Sequence, residues 1–202
     1  EDTADFEPLR DLVENIYTNE YLETLLPKWN AAIQEPDSFM ALPLQRDFYA
    51  RNLKNAKERT VVIISDALRY EVGKELFLRM QDDPKCSATL EVQLSVLPSY
   101  TRLGMAALLP HTELSITDDF KVLIDGQPCE NLTERETILR KYSPDSVCVQ
   151  FDSIKSLKIA DLRSIFTGKQ VVYVYHNQID ARGDKPNTED EVFVACEEAV
   201  SE

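Results

Sequence analysis

The sequence predicts an α/β fold, a mostly parallel sheet flanked by helices. Three observations predict it. Thr60–Ser65 (TVVIIS) opens with five consecutive β-branched residues, and uniformly apolar runs of this kind mark parallel strands covered on both faces. Gln170–Tyr175 (QVVYVY) is a second such run. Segments of helical period lie between and after them, and strand–helix alternation goes with a parallel sheet.

The first 57 residues are expected to form a helical segment that packs on the main domain, residues 58–202. Leu9, Leu12, Val13, Ile16 and Tyr17 follow the helical apolar spacing. Tyr21, Leu22, Leu25 and Leu26 continue it as far as Pro27, and DFYARNLKNA is a third candidate helix. Thr60–Ser65 then reads as a central strand. Tyr70–Met80 reads as a helix with Val72, Leu76 and Met80 on one side. ATLEVQLSV alternates strictly, Ala88, Leu90, Val92, Leu94 and Val96 against Thr89, Glu91, Gln93 and Ser95. That period of two predicts a half-exposed strand.

Thr101–Leu109 reads as a short apolar helix closed by Pro110. KVLIDGQPC holds an Asp-Gly pair, a hairpin signal. RETILRKY is helical, Val147–Phe151 a short strand, and Thr188–Val200 a closing helix. There is no internal repeat.

Composition narrows the class of protein. Of 202 residues, 43% are hydrophobic and 29% charged, as in ordinary globular proteins. No apolar stretch approaches the roughly 20 residues of a membrane span, and EDTADFEPLR lacks the apolar core of a signal peptide. Cys86, Cys129, Cys148 and Cys196 form no CxxC pair and read as reduced cytosolic thiols. The net charge of −14 disfavours a diffuse grip on nucleic acid, which needs Lys and Arg. A cation-mediated contact with a phosphodiester is compatible with it. Asn131-Leu132-Thr133 fits a glycosylation sequon, a pattern frequent by chance.

Three segments carry candidate chemistry. Asp66 follows the first strand, and in doubly wound sheets ligands gather at the carboxyl ends of strands. A carboxylate there is costly to bury alone, and a divalent cation offsets that cost. The alternative is that Ser65 or Asp66 caps the next helix. After the second strand come His176, Asn177, Asp180 and Asp184. They read as a ligand cluster or as a solvated turn rich in Asp and Gly. Ser99 and Thr101 stand between a strand and a helix, as a nucleophilic hydroxyl beside a cation or as caps. Arg102 is a candidate phosphate ligand.

ISDALRYEVGKEL, LPSYTRLGMAALLPH and YHNQIDARGD, in that order, resemble the signature blocks of the PglZ family, a branch of the alkaline phosphatase superfamily. The resemblance covers roughly residues 45 to 200. It implies a metal-dependent phosphatase or phosphodiesterase core with an alkaline-phosphatase-like fold. By resemblance Asp66 is a metal ligand, Thr101 the nucleophile, and Asp180 the Asp of a second ligand pair. The His of that pair is replaced by Asp184 here, a carboxylate still suited to zinc, manganese or magnesium, and His176 is an additional candidate ligand. The superfamily's downstream Asp-His-Gly block has no counterpart, since the only histidines are His111 and His176. The chain is therefore expected to be a truncated part of a longer protein, with an incomplete site and little activity of its own.

The resemblance further implies a cytoplasmic protein of BREX-type bacterial phage defence. It implies work beside other BREX-type components, including a DNA methyltransferase and an ATPase, with DNA reached through the full complex, no membrane association, and a homodimer as a candidate state. Phosphodiesters of nucleic acid are the implied substrate class. The rival reading is a catalytically inactive scaffold that assembles defence partners. A phosphoacceptor domain fits less well, because the haloacid-dehalogenase pattern wants an Asp where Leu68 stands.

Overall fold

The computed structural model describes residues 6–34 and 41–202. The chain divides into two compact units, Glu1–Pro43 and Leu44–Glu202. The parts of the expected helical lead-in at residues 1–5 and 35–40 lie outside the described residues.

In the first unit, α1 (Glu7–Asn15) runs through a wider helical stretch, Ile16–Leu22, into α2 (Glu23–Ala32). Pro27 does not end the helix as expected but lies inside α2. Pro27 has no N–H to donate, but the wide stretch ahead of α2 has already interrupted the regular i→i−4 pattern, and helix continues on both sides.

In the second unit, α3 (Phe48–Asn52) takes up only the start of DFYARNLKNA. β1 (Thr60–Ser65) leads through a turn to α4 (Tyr70–Gln81), and an extended stretch leads to α5 (Thr101–Ala107). β2 (Leu114–Ile116), β3 (Val122–Ile124) and β4 (Gln127–Pro128) follow. After α6 (Leu132–Tyr142) come β5 (Ser146–Gln150), α7 (Phe151–Ile154) and α8 (Ile159–Phe166). β6 (Val171–His176), α9 (Gln178–Gly183) and α10 (Val192–Ser201) complete the chain.

The main sheet has three parallel strands in the order β1-β6-β5. The second is a small antiparallel sheet, β2-β3-β4, closed by the expected Asp125-Gly126 hairpin. Both turn residues have positive φ, 49° and 75°, as a type I′ turn requires. α6 begins with a capping box in which Asn131 accepts from Glu134 N–H and Glu134 accepts from Asn131 N–H. The sequon asparagine thus has a structural use.

β6 is the central strand, and all six of its residues are buried. This corrects the expectation for Thr60–Ser65. Among the described residues β1 has β6 alone as a neighbour, and its Val61 and Ile63 are 52% and 67% exposed while Val62 and Ile64 are buried. One face of the sheet, through Val62, Ile64, Cys148, Val171, Tyr173 and Tyr175, packs with Tyr49, Leu103, Met105, Ile138 and Leu139 into the main core. A second cluster joins Ile179, Ala195 and Cys196 to Leu68 and Val72, tying α9, α10 and α4 together. Buried apolar area of this kind contributes roughly 25 cal/mol per Å².

Residues 88–96 are not the expected strand. Leu94 makes an isolated bridge to Leu44, and the rest of the stretch joins no sheet. The alternation nevertheless reports the correct faces, for Ala88, Leu90, Leu94 and Val96 are half-buried and their neighbours exposed. Val92 departs from it at 46% exposure. A period of two fixes which way side chains point, and it does not supply a partner strand.

Candidate functional site

The carboxyl ends of β1 and β6 are adjacent, because Ser65 is in register with His176. One further bond carries the ladder into the loop: Asp66 N–H donates to His176 O at 2.9 Å. Asp66 is thereby pinned as the first residue past the sheet rim. Ala67 follows with φ of 61°, a left-handed conformation costing roughly 1–2 kcal/mol for an L-residue, and its N–H donates to Asp66 Oδ1 at 3.1 Å.

Asp66 does not cap α4. The N-cap is Arg69, with no side-chain cap bond. The carboxyl of Asp66 is pushed above the ordinary aspartate range, first by burial and then by the charge of Asp180, against the opposing effects of Ala67 N–H and Arg135. The acid that follows β1 and one in the helix that follows β6 thus lie near enough for their charges to interact. Asp180 is positioned by α9, so His176–Asp184 is not the open turn considered in the sequence. Asp184 is the C-cap of α9, its N–H bonded to Asp180 O at 2.9 Å. Helix forms there because Ile179 is 2% exposed and anchors one face in the second cluster.

Thr101 opens α5, and here too the capping alternative fails: Tyr100 is the N-cap and no side chain caps the helix. Thr101 is exposed and, with Asp66, Ser99 and His176, lines a cavity of about 890 Å³. Gln45 fixes this side of the cavity, its Nε2 donating to Gly104 O at 3.3 Å and its Oε1 accepting from Val96 N–H at 3.1 Å. Arg102, Asp180 and Asp184 are not among the cavity residues. Arg102 is paired with Glu130 at 2.9 Å.

His176 is 4% exposed and held on both ring nitrogens. Nδ1 meets Ser65 Oγ at 2.8 Å and Nε2 meets Glu202 Oε2 at 3.1 Å, while Phe151 packs edge-on at 4.9 Å between centroids. Sequence reasoning missed the parts played by Ser65, Gln45 and Glu202. Only the Ser65–His176 register could reveal the first, and no local pattern encodes that pairing.

The donor set suits a cation in part. The repulsion between Asp66 and Asp180 is of the kind a divalent ion relieves. Among the described residues, however, no three His, Cys, Asp or Glu side chains gather so as to hold one ion, and His176 would have to give up a present partner to serve. No helix among the described residues is long and apolar enough to cross a membrane.

Comparison with known proteins places the chain in a family. Residues 47–202 match the family model for the BREX system PglZ alkaline phosphatase-like domain. The chain is 41% identical over 209 residues to the alkaline phosphatase-like protein PglZ of Bacillus cereus (strain H3081.97), covering 100% of this chain and 24% of that protein. It is 38% identical over 206 residues to the alkaline phosphatase-like protein BrxZ of Escherichia coli O9:H4 (strain HS), covering 96% of this chain and 24% of that protein. The chain thus spans about a quarter of the length of these curated relatives. No solved structure gives a significant match. Asp66 and Thr101 line one cavity, the family match runs from residue 47 to 202, and the chain belongs to the PglZ family of BREX alkaline phosphatase-like proteins.

Proposed function

We propose that this chain contributes the nucleophile and part of the metal-binding half of a phosphatase or phosphodiesterase site within a longer BREX protein. The single observation that supports this most is that Asp66, the first residue past β1, lines one cavity with the Thr101 hydroxyl, its carboxyl raised by burial and the charge of Asp180 against Ala67 N–H and Arg135. Asp66 and Asp180 would hold a divalent ion, zinc, manganese or magnesium, with Asp184 and His176 as further candidate ligands. Such an ion supplies positive charge that favours hydroxide or alkoxide over the neutral hydroxyl. Thr101 presents its hydroxyl to the same cavity for attack on phosphorus. Arg102 serves the substrate phosphate once it exchanges Glu130 for that anion, since a guanidinium bonds either group in the same planar manner.

Nucleic-acid phosphodiesters are the substrate class this reading favours, in a cytoplasmic phage-defence setting beside other BREX components and with DNA reached through the complex. The net charge of −14 fits a contact made through cations and partners rather than through the bare surface. Self-association as a homodimer is part of the proposal. The domain division proposed from the sequence, 1–57 and 58–202, sets the α/β core apart from the helices before it.

One observation favours a second reading, a catalytically inactive scaffold: the absence of a three-ligand cluster among the described residues. The deciding experiment uses a protein of the relatives' full length. Metal content, hydrolysis of bis(p-nitrophenyl) phosphate and binding of BREX partners are measured for wild type, Asp66→Ala and Thr101→Ala. The enzyme reading expects Asp66→Ala to lose metal and turnover, and Thr101→Ala to lose turnover alone. A wild-type protein that binds partners but neither binds metal nor turns over supports the scaffold. Turnover unchanged in Thr101→Ala refutes its role as nucleophile.

A further inference from the structure

A second cavity, of about 500 Å³, adjoins the one lined by Asp66 and Thr101. Gln45, Ser95 and Val96 line both. Residues from 44–46, 94–97 and 111–116 surround it, with Leu103 of α5. Gln45 ties the first two stretches to each other and to α5. Its N–H donates to Leu94 O at 2.9 Å, its Oε1 accepts from Val96 N–H at 3.1 Å, and its Nε2 donates to Gly104 O at 3.3 Å. These bonds shape the space without any ligand. Its volume is that of sites for small organic molecules, roughly 300–1,000 Å³.

Seven of the twelve lining residues are aliphatic, so an apolar occupant gains by leaving water. The charged lining is of one sign. Asp and Glu make up 36 of the 202 residues, yet none of them lines this cavity, whereas Arg46 and His111 do. Arg46 is exposed and has no ion pair among the described residues. His111 Nδ1 lies 2.7 Å from Leu109 O. A carbonyl only accepts, so Nδ1 carries the hydrogen and Nε2 is the ring atom left for a ligand. Asp125 acts on His111, but its oxygens are already engaged. Oδ1 accepts from Thr112 N–H at 2.9 Å and Glu113 N–H at 2.7 Å, and Oδ2 from the Tyr142 hydroxyl at 3.4 Å.

We infer that this cavity binds a small organic acid. The acid's apolar body lies against the aliphatic lining, its carboxylate on Arg46, and a hydroxyl of the body donates to His111 Nε2. A guanidinium matches a carboxylate in a planar, two-bond contact. One arginine suits a monoanion better than a phosphate dianion, which calls for more positive charge. The inference goes beyond the phosphoryl-transfer reading and needs neither a metal nor Thr101, for Arg46 and His111 are not among the residues of the first cavity.

The test uses a protein of the relatives' full length and the probe 6-hydroxy-2-naphthoate, titrated by calorimetry. Saturable binding of one probe per chain is expected. Arg46→Gln should weaken it at least about tenfold, the loss of one charged hydrogen-bonded contact. Binding of the uncharged alcohol of the same ring system should change less than about twofold in that variant. Ile116→Trp, at a 40% exposed lining position, should weaken acid and alcohol alike by filling the space. Lys158→Gln, an exposed cation outside the cavity, should leave both unchanged. Absence of saturable binding overturns the inference. So does an affinity indifferent to Arg46→Gln, or one lowered as much by Lys158→Gln. If Ile116→Trp does not fold, the acid and alcohol affinities of Arg46→Gln decide the matter.

Discussion

Replacing Ser65 with alanine removes the hydroxyl that holds the buried imidazole at the end of β6. The bond is 2.8 Å long and the ring is 4% exposed. A net hydrogen bond is worth about 1 kcal/mol, and leaving a buried polar atom unpaired costs about 1–3 kcal/mol. Two features keep the loss in the lower part of that range. Nε2 retains Glu202 at 3.1 Å, and Ser65 is only half-buried beside a cavity that admits water. The expected loss is therefore about 1–2 kcal/mol, or roughly 2–8 °C in Tm for a chain of this size. Urea unfolding followed by circular dichroism measures it as a lower midpoint at unchanged slope. The exposed Ser164, bonded only to its own helix turn, is the control, and its alanine variant should lie within about 0.5 kcal/mol of wild type. In a His176→Leu background the Ser65→Ala change should cost less than about 0.5 kcal/mol, because the coupled partner is gone. A Ser65→Ala variant indistinguishable from Ser164→Ala would refute the claim that this contact holds the two strand ends together.

Asp66→Asn should stabilise the metal-free chain at neutral pH. The folded carboxyl titrates above its unfolded value of 3.8 through burial and the charge of Asp180. The fold thus favours the protonated form, and wild type loses stability relative to the variant as pH rises from that value through the raised one. Urea midpoints that converge near pH 3 and diverge toward pH 7, in the presence of chelator, are the expected pattern; equal midpoints throughout would exclude the repulsion. Of the four thiols, Cys86 alone is exposed, and burial pushes Cys148 up to about 12, leaving a thiolate fraction on the order of 10⁻⁴ at pH 8. Brief iodoacetamide treatment should modify Cys86 first and Cys148 only on unfolding, as read by peptide mass spectrometry. Asn131→Ala should cost about 1 kcal/mol by removing the cap on α6, visible as a lower thermal midpoint.

Much of the framework was legible because it is local. The Asp125-Gly126 hairpin declares itself, since few other pairs accept positive φ at both positions. The helix at Tyr70–Gln81 follows from apolar spacing and most of that at Leu132–Tyr142 from RETILRKY, while the capping box of Asn131 and Glu134 came to light in the structure. The candidate acids were legible as strand-end residues. The influence of one on the other was not, for Asp66 and Asp180 lie more than a hundred residues apart and their charges interact because Ser65 pairs with His176. His176 shows the limit from the other side. Its place after a strand suggested a ligand, whereas its bonds to Ser65 and Glu202 depend on two distant residues.

By itself, the sequence determined that TVVIIS and QVVYVY are strands, since β-branched and aromatic side chains favour extended backbone wherever they lie. Which of the two stands at the centre was decided only by tertiary structure. Among the described residues β6 takes a neighbour on each side and buries all six of its own, while β1 pairs on one side only. Strand propensity acts along a chain, but centrality depends on how many other strands arrive beside it, and nothing within six residues of sequence encodes that number.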